Sequence, residues 1–139
     1  MAITVLTNAF VSVNGVDLSD HVTAVTIETT DDDVEITAMG AVAKAYAKGL
    51  GDANMTVTFL QDFAAGKVDA TLYPLKAGNT TFTVAVRPTN AVASPTNPEY
   101  RITAMLFGYN PLDGSIGDAS STDVTFRNAS QAGMTRVTA

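Results

Sequence analysis

Residues Met55 to Thr83 read MTVTFLQDFAAGKVDATLYPLKAGNTTFT, and the period of their apolar side chains changes twice within this stretch. Met55, Val57 and Phe59 alternate with other residues. A period of two places three large apolar side chains on one face of a β-strand. The same alternation begins again in Phe82, Val84 and Val86. The stretch is therefore predicted to begin and end in strands.

Between these strands the apolar spacing is that of a helix. Asp62 is suited to cap its start, because a carboxylate accepts hydrogen bonds from the first backbone N–H groups. Pro74 disfavours helical backbone at Tyr73 and predicts the end of the helix there, with Gly78 in the turn beyond. We predict a helix at Ala64–Tyr73 that packs against a sheet, since a lone helix among strands has no other surface to bury against. Its apolar face follows an i, i+4, i+7, i+8, i+11 spacing in Ala64, Val68, Thr71, Leu72 and Leu75.

The rest of the chain alternates in a way that is typical of strands. Asn14-Gly15 is a tight-turn signal after a short strand or arm at Phe10–Val13. We predict a mainly β fold, an antiparallel β-sandwich or half-barrel with one packed helix. It is expected to be a single domain over residues 1–139, with an N-terminal arm at about 1–20 and a C-terminal tail at about 129–139. Later strands are predicted at Tyr100–Tyr109 and at Thr122, Val124 and Phe126, and Gly133–Val137 is expected to be a short last strand or a tail.

An early hairpin is predicted from two further alternating runs. One strand covers His21 to Thr30, the second covers Val34 to Ala38, and Asp31-Asp32-Asp33 forms the turn between them. Such a hairpin has one apolar face and one wet face. The wet face is our candidate for the lining of a passage: Thr26, Glu28, Thr30, Glu35 and Thr37.

Alternation fails between Gly40 and Gly51, where the sequence is rich in Ala, Lys and Gly. A loop of this length is usually functional or disordered, and a helical turn at Ala43–Ala47 is possible. One interpretation is a mobile loop; the other is a contact with a neighbouring subunit. Because aromatic residues and Met are enriched at interfaces, a second candidate surface lies on the late strand, where the alternative is that the helix covers it. The interface candidates are Lys44, Tyr46, Lys48, Met105, Phe107 and Tyr109.

Composition narrows the classes of function. Of the 139 residues, 46% are hydrophobic and only 16% are charged, whereas the surface of a small soluble protein is typically about a quarter to a third charged. Either the surface is neutral and Thr-rich, or other subunits cover much of it. The net charge of −6 argues against tight electrostatic binding of nucleic acid. The absence of Cys excludes disulfides, and no apolar run predicts a membrane anchor or a signal peptide.

Few residues suggest chemistry. His21 is the only histidine, and a general base needs a nucleophile or an orienting acid beside it. The acidic runs Asp31–Asp33 and Asp113–Asp118 offer oxygen atoms for Ca²⁺, but adjacent residues of a hairpin point to opposite sides and the second run lacks EF-hand spacing. Asn79-Thr80-Thr81 matches a glycosylation sequon and is expected to be an ordinary turn. No catalytic residue, metal or cofactor is predicted.

Two adjoining runs resemble the tail tube proteins of long-tailed bacteriophages. They are Gly49-Leu50-Gly51-Asp52-Ala53-Asn54-Met55-Thr56-Val57 and Thr58-Phe59-Leu60-Gln61-Asp62-Phe63-Ala64-Ala65-Gly66-Lys67-Val68-Asp69-Ala70-Thr71-Leu72. In that family a similar segment precedes a strand that ends near an aspartate, and a helix follows. The likeness extends from about Val13 to Asn128 and depends on the order of these pieces.

The resemblance implies a structural protein with no catalytic activity. Such proteins form hexameric rings that stack into the tail tube of the virion, which assembles in the host cytoplasm around a tape-measure protein. Tail terminator and tail-tip proteins are the further implied partners, and DNA passes through the lumen during ejection. The tube protein of type VI secretion is similar in fold and remains an alternative. A monomeric β-sandwich that binds carbohydrate or calcium is the alternative from another class.

Overall fold

The computed structural model describes residues 3–139, in which one antiparallel sheet carries a single α-helix. The mainly β fold with one helix is therefore confirmed. The first two residues of the predicted N-terminal arm lie outside the described residues. The strands are β1 (Phe10–Val13), β2 (Val16–Asp17), β3 (Val22–Glu35), β4 (Tyr46–Leu60), β5 (Phe82–Arg87), β6 (Glu99–Leu106), β7 (Ser121–Asn128) and β8 (Thr135–Val137); the helix is α1 (Val68–Ala77), and a 3-10 turn covers Ser19–His21.

The strand order across the sheet is β2-β1-β5-β6-β7-β4-β3, and β8 pairs with β6 beside this path. All of the pairings are antiparallel. Asn14 and Gly15 have φ values of 51° and 81° and form the predicted turn between β1 and β2. β2 and β3 follow each other in sequence but lie at opposite edges of the sheet, with β1 beside β2 and β4 beside β3.

The core lies on one face of the sheet, where alternate side chains of each strand are buried. Met55, Val57 and Phe59 of β4 are fully buried, as the alternation predicted. Phe82 and Phe126 cross edge to face, with ring centroids 5.9 Å apart at 83°. This arrangement places the positive ring edge against a negative ring face and adds to the burial.

The helix lies four residues later than the sequence predicted. Asp62 does not cap α1: its Oδ1 accepts a hydrogen bond from the Ala64 N–H at 2.9 Å and organises the turn before the helix, and Lys67 is the N-cap residue. Pro74 lies inside α1, although it was predicted to end the helix. The proline removes a bond to the carbonyl of Ala70, but both residues are exposed, so water can satisfy that carbonyl. Continuing past Pro74 buries Leu75 with Val68 and Leu72, so the predicted apolar face is confirmed for these three residues. Ala64, which was predicted to begin that face, lies before the helix and is exposed.

The early hairpin differs most from the prediction. β3 is one continuous strand of 14 residues, and Asp31–Asp33 form part of it rather than a turn. Its partner β4 begins at Tyr46, so the second half of Gly40–Gly51 is strand, and the possible helical turn at Ala43–Ala47 is wrong. Val34–Ala38 is likewise no separate strand, because the connection of the hairpin covers residues 36–45.

Glycine explains why β4 escaped the alternation rule. A Cβ atom on Gly49 would lie 3.0 Å from the Cβ of Asp32, and one on Gly51 would lie 2.7 Å from the Asp31 Oδ1. The register also shifts between Asp31 and Asp33, as in a β-bulge. Glycines are needed here because β3 lies close to Gly49 and Gly51, and the bulge interrupts the register. This part of β4 therefore lacks the alternating side chains that normally identify a strand.

Among residues 3–139, no helix has the length and apolar character needed to cross a lipid bilayer.

Candidate assembly surfaces

The paired strands β3 and β4 continue well past the core. We call residues 28–52 the distal ribbon; every one of them is exposed, on both faces of the two strands. From Glu28 to Glu35 the ribbon extends about 25 Å at the usual rise of a strand. A two-stranded ribbon is marginally stable in water by itself. The distal ribbon is therefore the part of the molecule that most needs a second surface.

The distal ribbon also carries large apolar side chains that are exposed. Met39 and Val42 are fully exposed, and Leu50 is 83% exposed. Contiguous exposed apolar surface on a small protein usually marks an interaction site. Val34, Ile36 and Tyr46 are the other large apolar residues exposed on the ribbon.

The outer edge of β3 is a second candidate surface. In the described part of the chain β3 pairs only with β4, so its other edge presents unpaired backbone groups. This edge strand is strongly acidic. One lysine of the partner strand β4 approaches it: the Lys48 Nζ lies 3.5 Å from the Asp31 Oδ2. The acidic residues of β3 are Glu28, Asp31, Asp32, Asp33 and Glu35, and β3 contains no Lys or Arg.

The sheet face opposite the core is lined with threonine. Thr26 of β3 lies beside Thr56 of β4, which lies beside Thr125 of β7, so three strands contribute to one row. The Oγ1 atoms of Thr56 and Thr125 are 3.4 Å apart. In the next row the Thr58 hydroxyl donates to the Asp123 carboxylate at 2.6 Å. This threonine face is therefore rich in hydroxyl groups.

The five predicted lining residues do not all lie on one face of the sheet. Thr26, Glu28 and Thr30 alternate along β3 and lie on the threonine face. Glu35 is an odd-numbered residue of the same strand, so alternation places it on the opposite face. Thr37 lies beyond the strand, where its hydroxyl accepts a hydrogen bond from the Ala45 N–H at 2.9 Å. Thr56, Thr58 and Thr125 of this face were not among the predicted lining residues, although each alternates along the sequence with residues that are buried.

The six predicted interface residues fall into two groups. Lys44, Tyr46 and Lys48 all belong to the distal ribbon and are exposed. The other group lies beside β7, where Phe107 is 65% exposed and Met105 is half-buried. α1 covers neither, because Val68, Leu72 and Leu75 join the core on the other face of the sheet.

Tyr109, the last of the six, is held within the subunit. Its hydroxyl donates to the Asp69 Oδ1 at 2.8 Å and accepts from the Gln61 Nε2 at 2.9 Å. Burial, the largest cause, raises the pKa of Tyr109 to about 12. This network ties the segment after β6 to the first turn of α1.

His21 is also engaged by its neighbours. Its Nδ1 lies 2.8 Å from the Asp20 Oδ1, and its Nε2 lies 2.8 Å from the Asp62 Oδ2. The hydrogen bond that the His21 Nε2 donates to the Asp62 carboxylate is the main cause that raises the pKa of His21 above its usual 6.5. With a carboxylate at each ring nitrogen, the imidazolium form is favoured. His21 thereby links the start of β3 to the turn before α1.

Acidic groups do not converge in the described residues. Within residues 3–139, no three His, Asp or Glu side chains come together as a metal site. Asp31, Asp32 and Asp33 follow one another along an extended strand, so their carboxylates point alternately to its two sides.

Comparison with known proteins shows a shared fold at very low sequence identity. No protein-family model matches the chain, and no curated protein matches its sequence. A chain of the virion of a native gene transfer agent particle is 10% identical with a TM-score of 0.72, over 94% of this chain and 95% of that one. A chain of the tail of an empty gene transfer agent particle, which has C6 symmetry, is 12% identical with a TM-score of 0.65, over 83% and 81%.

A third similar structure comes from an extracellular contractile injection system. A chain of its PVC sheath-tube complex in the extended state is 11% identical with a TM-score of 0.69, over 99% of this chain and 93% of that one. The fold expected from the resemblance is thus shared with chains of tail and sheath-tube assemblies.

Proposed function

We propose that this protein is a structural subunit of a phage-type tail tube. Six copies form a ring, rings stack into a tube, and the tube is the conduit for DNA ejection. The location is then the virion tail, with a tape-measure protein, a tail terminator and tail-tip proteins as the neighbours that such a tube requires.

The distal ribbon in this particular fold carries the proposal. The similar chains belong to a virion, a tail with C6 symmetry and a sheath-tube complex. In this chain every residue from Glu28 to Asp52 is exposed. A monomer gains little from ordering such a ribbon at about 1–2 kcal/mol of backbone entropy per residue. A tube offers it neighbouring subunits to cover its apolar side chains.

The edge of β3 suits lateral contact within a ring. A strand with one unpaired edge can pair with a strand of the adjacent subunit, and closure of the ring then removes the exposed edge. The two ends of the sheet differ, since β3 has 14 residues and β2 has two. Contacts between unlike edges are heterologous, and such contacts generate rings when the rotation closes.

The threonine face suits a lumen through which DNA slides. Hydroxyl groups and carboxylates give phosphate few cationic contacts, and such contacts dominate DNA affinity. Glu28 lies on this face. The guanidinium of Arg127, which lies on the same face, is 3.9 Å from the Asp52 carboxylate and is partly neutralised by it. DNA passing this face would find little to hold it.

Electron microscopy and sedimentation of the purified protein test the proposal. We expect rings or tubes in negative stain and concentration-dependent sedimentation of large species. Uniform monomers under all conditions, with binding of a carbohydrate or Ca²⁺, would instead identify a β-sandwich binding protein and contradict the tube.

A shortened ribbon provides the matched variant. Joining Thr30 to Asp52 through Asn-Gly removes exposed residues and leaves the core intact, so the variant is expected to fold as a monomer that no longer assembles. Val92→Ser, at an exposed site on the β5–β6 connection, serves as the control and should assemble normally. Regular tubes from the shortened protein would show that the ribbon is not an interface.

A further inference from the structure

Two exposed loops at opposite ends of the molecule have complementary character. The tip loop, residues 36–45, connects β3 to β4, and the acidic loop, residues 110–120, precedes β7. Tyr46 begins β4 next to the tip loop, whereas Leu60 ends β4 and pairs with Ser121 next to the acidic loop. The 15 residues of β4 separate the two loops by about 50 Å.

The tip loop is apolar with a single positive charge. Its sequence ITAMGAVAKA contains Lys44 and no acidic residue. Met39 and Val42 are fully exposed there. The loop is held by backbone pairing at its base, where the Ile36 N–H donates to the Ala45 carbonyl at 2.9 Å. It is therefore an apolar projection on a paired base.

The acidic loop is apolar with two negative charges. Its sequence NPLDGSIGDAS contains Asp113 and Asp118 and no basic residue. Ile116 is fully exposed and Leu112 is 77% exposed. Both belong to the lining of a depression of about 330 Å³, together with the two aspartates. Hydrogen bonds from the Asp118 N–H to the Ser115 carbonyl and from the Ser121 N–H to the Asp113 carbonyl shape this depression.

From this complementarity we infer that the tip loop of one subunit docks into the depression of the acidic loop of a second copy in the next ring. Met39 and Val42 cover Leu112 and Ile116, and Lys44 faces Asp113 and Asp118. The inference rests on the proposed tube and identifies its stacking contact.

Geometry requires the contact to be between copies. Within one chain the two loops are about 50 Å apart along β4, far beyond the reach of a side chain. A contact between opposite ends of identical molecules is heterologous, and it generates an open filament when the rotation between neighbours does not close. Repetition along one axis therefore gives a filament, which is the behaviour that ring stacking needs.

Cysteine cross-linking tests the contact directly, because the chain has no native cysteine. Val42→Cys and Ile116→Cys proteins, labelled with different tags, are mixed, assembled and treated with a short bismaleimide. We expect covalent dimers that carry both tags, and little product in unassembled protein. The matched control pairs Val92→Cys, which is also highly exposed on the β5–β6 connection, with Ile116→Cys. Equal yields from the two pairs within well-formed tubes would overturn the docking.

Charge exchange tests the electrostatic part. Lys44→Asp and the double variant Asp113→Lys/Asp118→Lys should each raise the critical concentration for assembly by about tenfold, because like charges across an interface oppose association. Combining all three substitutions should restore the wild-type value. Lys76→Asp, at the exposed end of α1, should leave it unchanged. Absence of rescue, with thermal unfolding of the subunits unaltered, would contradict the assigned partners.

If wild-type protein forms neither rings nor tubes, the proposed function is wrong. If wild-type protein forms tubes but the cysteine pair and the charge exchange behave like their controls, the tube stands and the stacking contact lies elsewhere.

Discussion

Truncation of the buried Leu72 side chain should lower the free energy of unfolding, by an amount that follows from the carbon atoms removed and the cavity left behind. Leu72 is fully buried at the middle of the apolar face of α1. Leu72→Ala removes three carbon atoms, which costs about 2.4 kcal/mol at about 0.8 kcal/mol for each buried carbon. A residual cavity of about 60 Å³ adds about 1.5 kcal/mol at about 24 cal/mol per Å³. We expect a loss of about 4 kcal/mol in the free energy of unfolding.

The measurement is chemical denaturation at a protein concentration below that of assembly, since oligomerisation changes apparent stability. In a thermal scan the same loss corresponds to a fall of about 10–15 °C in Tm for a domain of this size. Tyr73→Ala is the control: Tyr73 is the next residue of the same helix but is 60% exposed, so we expect less than about 1 kcal/mol. Equal effects from the two substitutions, or an unchanged midpoint in Leu72→Ala, would refute the packing of α1 on the sheet.

Three further predictions concern charge and the ribbon. His21→Gln should lower Tm more at pH 5.5 than at pH 9. The raised pKa of His21 in the folded protein stabilises the fold fully below the pKa of the unfolded chain, 6.5, and this stabilisation is lost as pH rises through the folded pKa. Parallel profiles of Tm against pH for wild type and variant would contradict this. Glu28→Lys should leave the subunit folded but make assembled tubes retain duplex DNA. Glu35→Lys, on the other face of β3, should not increase DNA retention. Equal retention by the two variants would show that the threonine face does not line the lumen. Gly49→Val should reduce tube formation while the core unfolds as in wild type, because the added Cβ meets Asp32 at 3.0 Å, and normal tubes would show that the ribbon tolerates the distortion.

Much of the fold follows from alternation because the core is a regular sheet. Met55, Val57 and Phe59, and likewise Val84 and Val86, are buried as their spacing predicts. Alternation of apolar residues arises when one face of a strand is buried, so it predicts strands correctly wherever a strand borders the core. The helix was found for the same reason, since Val68, Leu72 and Leu75 have to face the sheet.

The ribbon escaped prediction because it borders no core within the subunit. Both faces of the two strands are exposed in residues 28–52, so no alternation is needed there. Asp and Gly are tolerated in this stretch despite their poor strand propensity. Asp31–Asp33 therefore looked like a turn. The helix ends were misplaced because Asp62 and Pro74 act in an unusual context: a turn before the helix, and an exposed last turn.

The same physics limits what could be predicted about the candidate surfaces. Glu35 was grouped with Glu28 because a turn between them would have returned both to one face. One continuous strand instead puts the odd and even residues of β3 on opposite sides. Only the pairing of β3 with β4 distinguishes these cases, and that pairing is non-local.

The acidic edge of β3 has a consequence for which neighbours a subunit accepts. Two subunits that met through their β3 edges would form a symmetric pair and stop growing. From Val22 to Glu35 the strand contains acidic residues and no basic ones, so this symmetric pairing places two negative strands about 5 Å apart. Repulsion at that distance opposes the symmetric dimer, so the opposite edge of the sheet, at β2, is the favoured partner for β3. We expect high salt, which shortens the range of the repulsion to about 3 Å at 1 M, to increase misassembled dimers at the expense of rings.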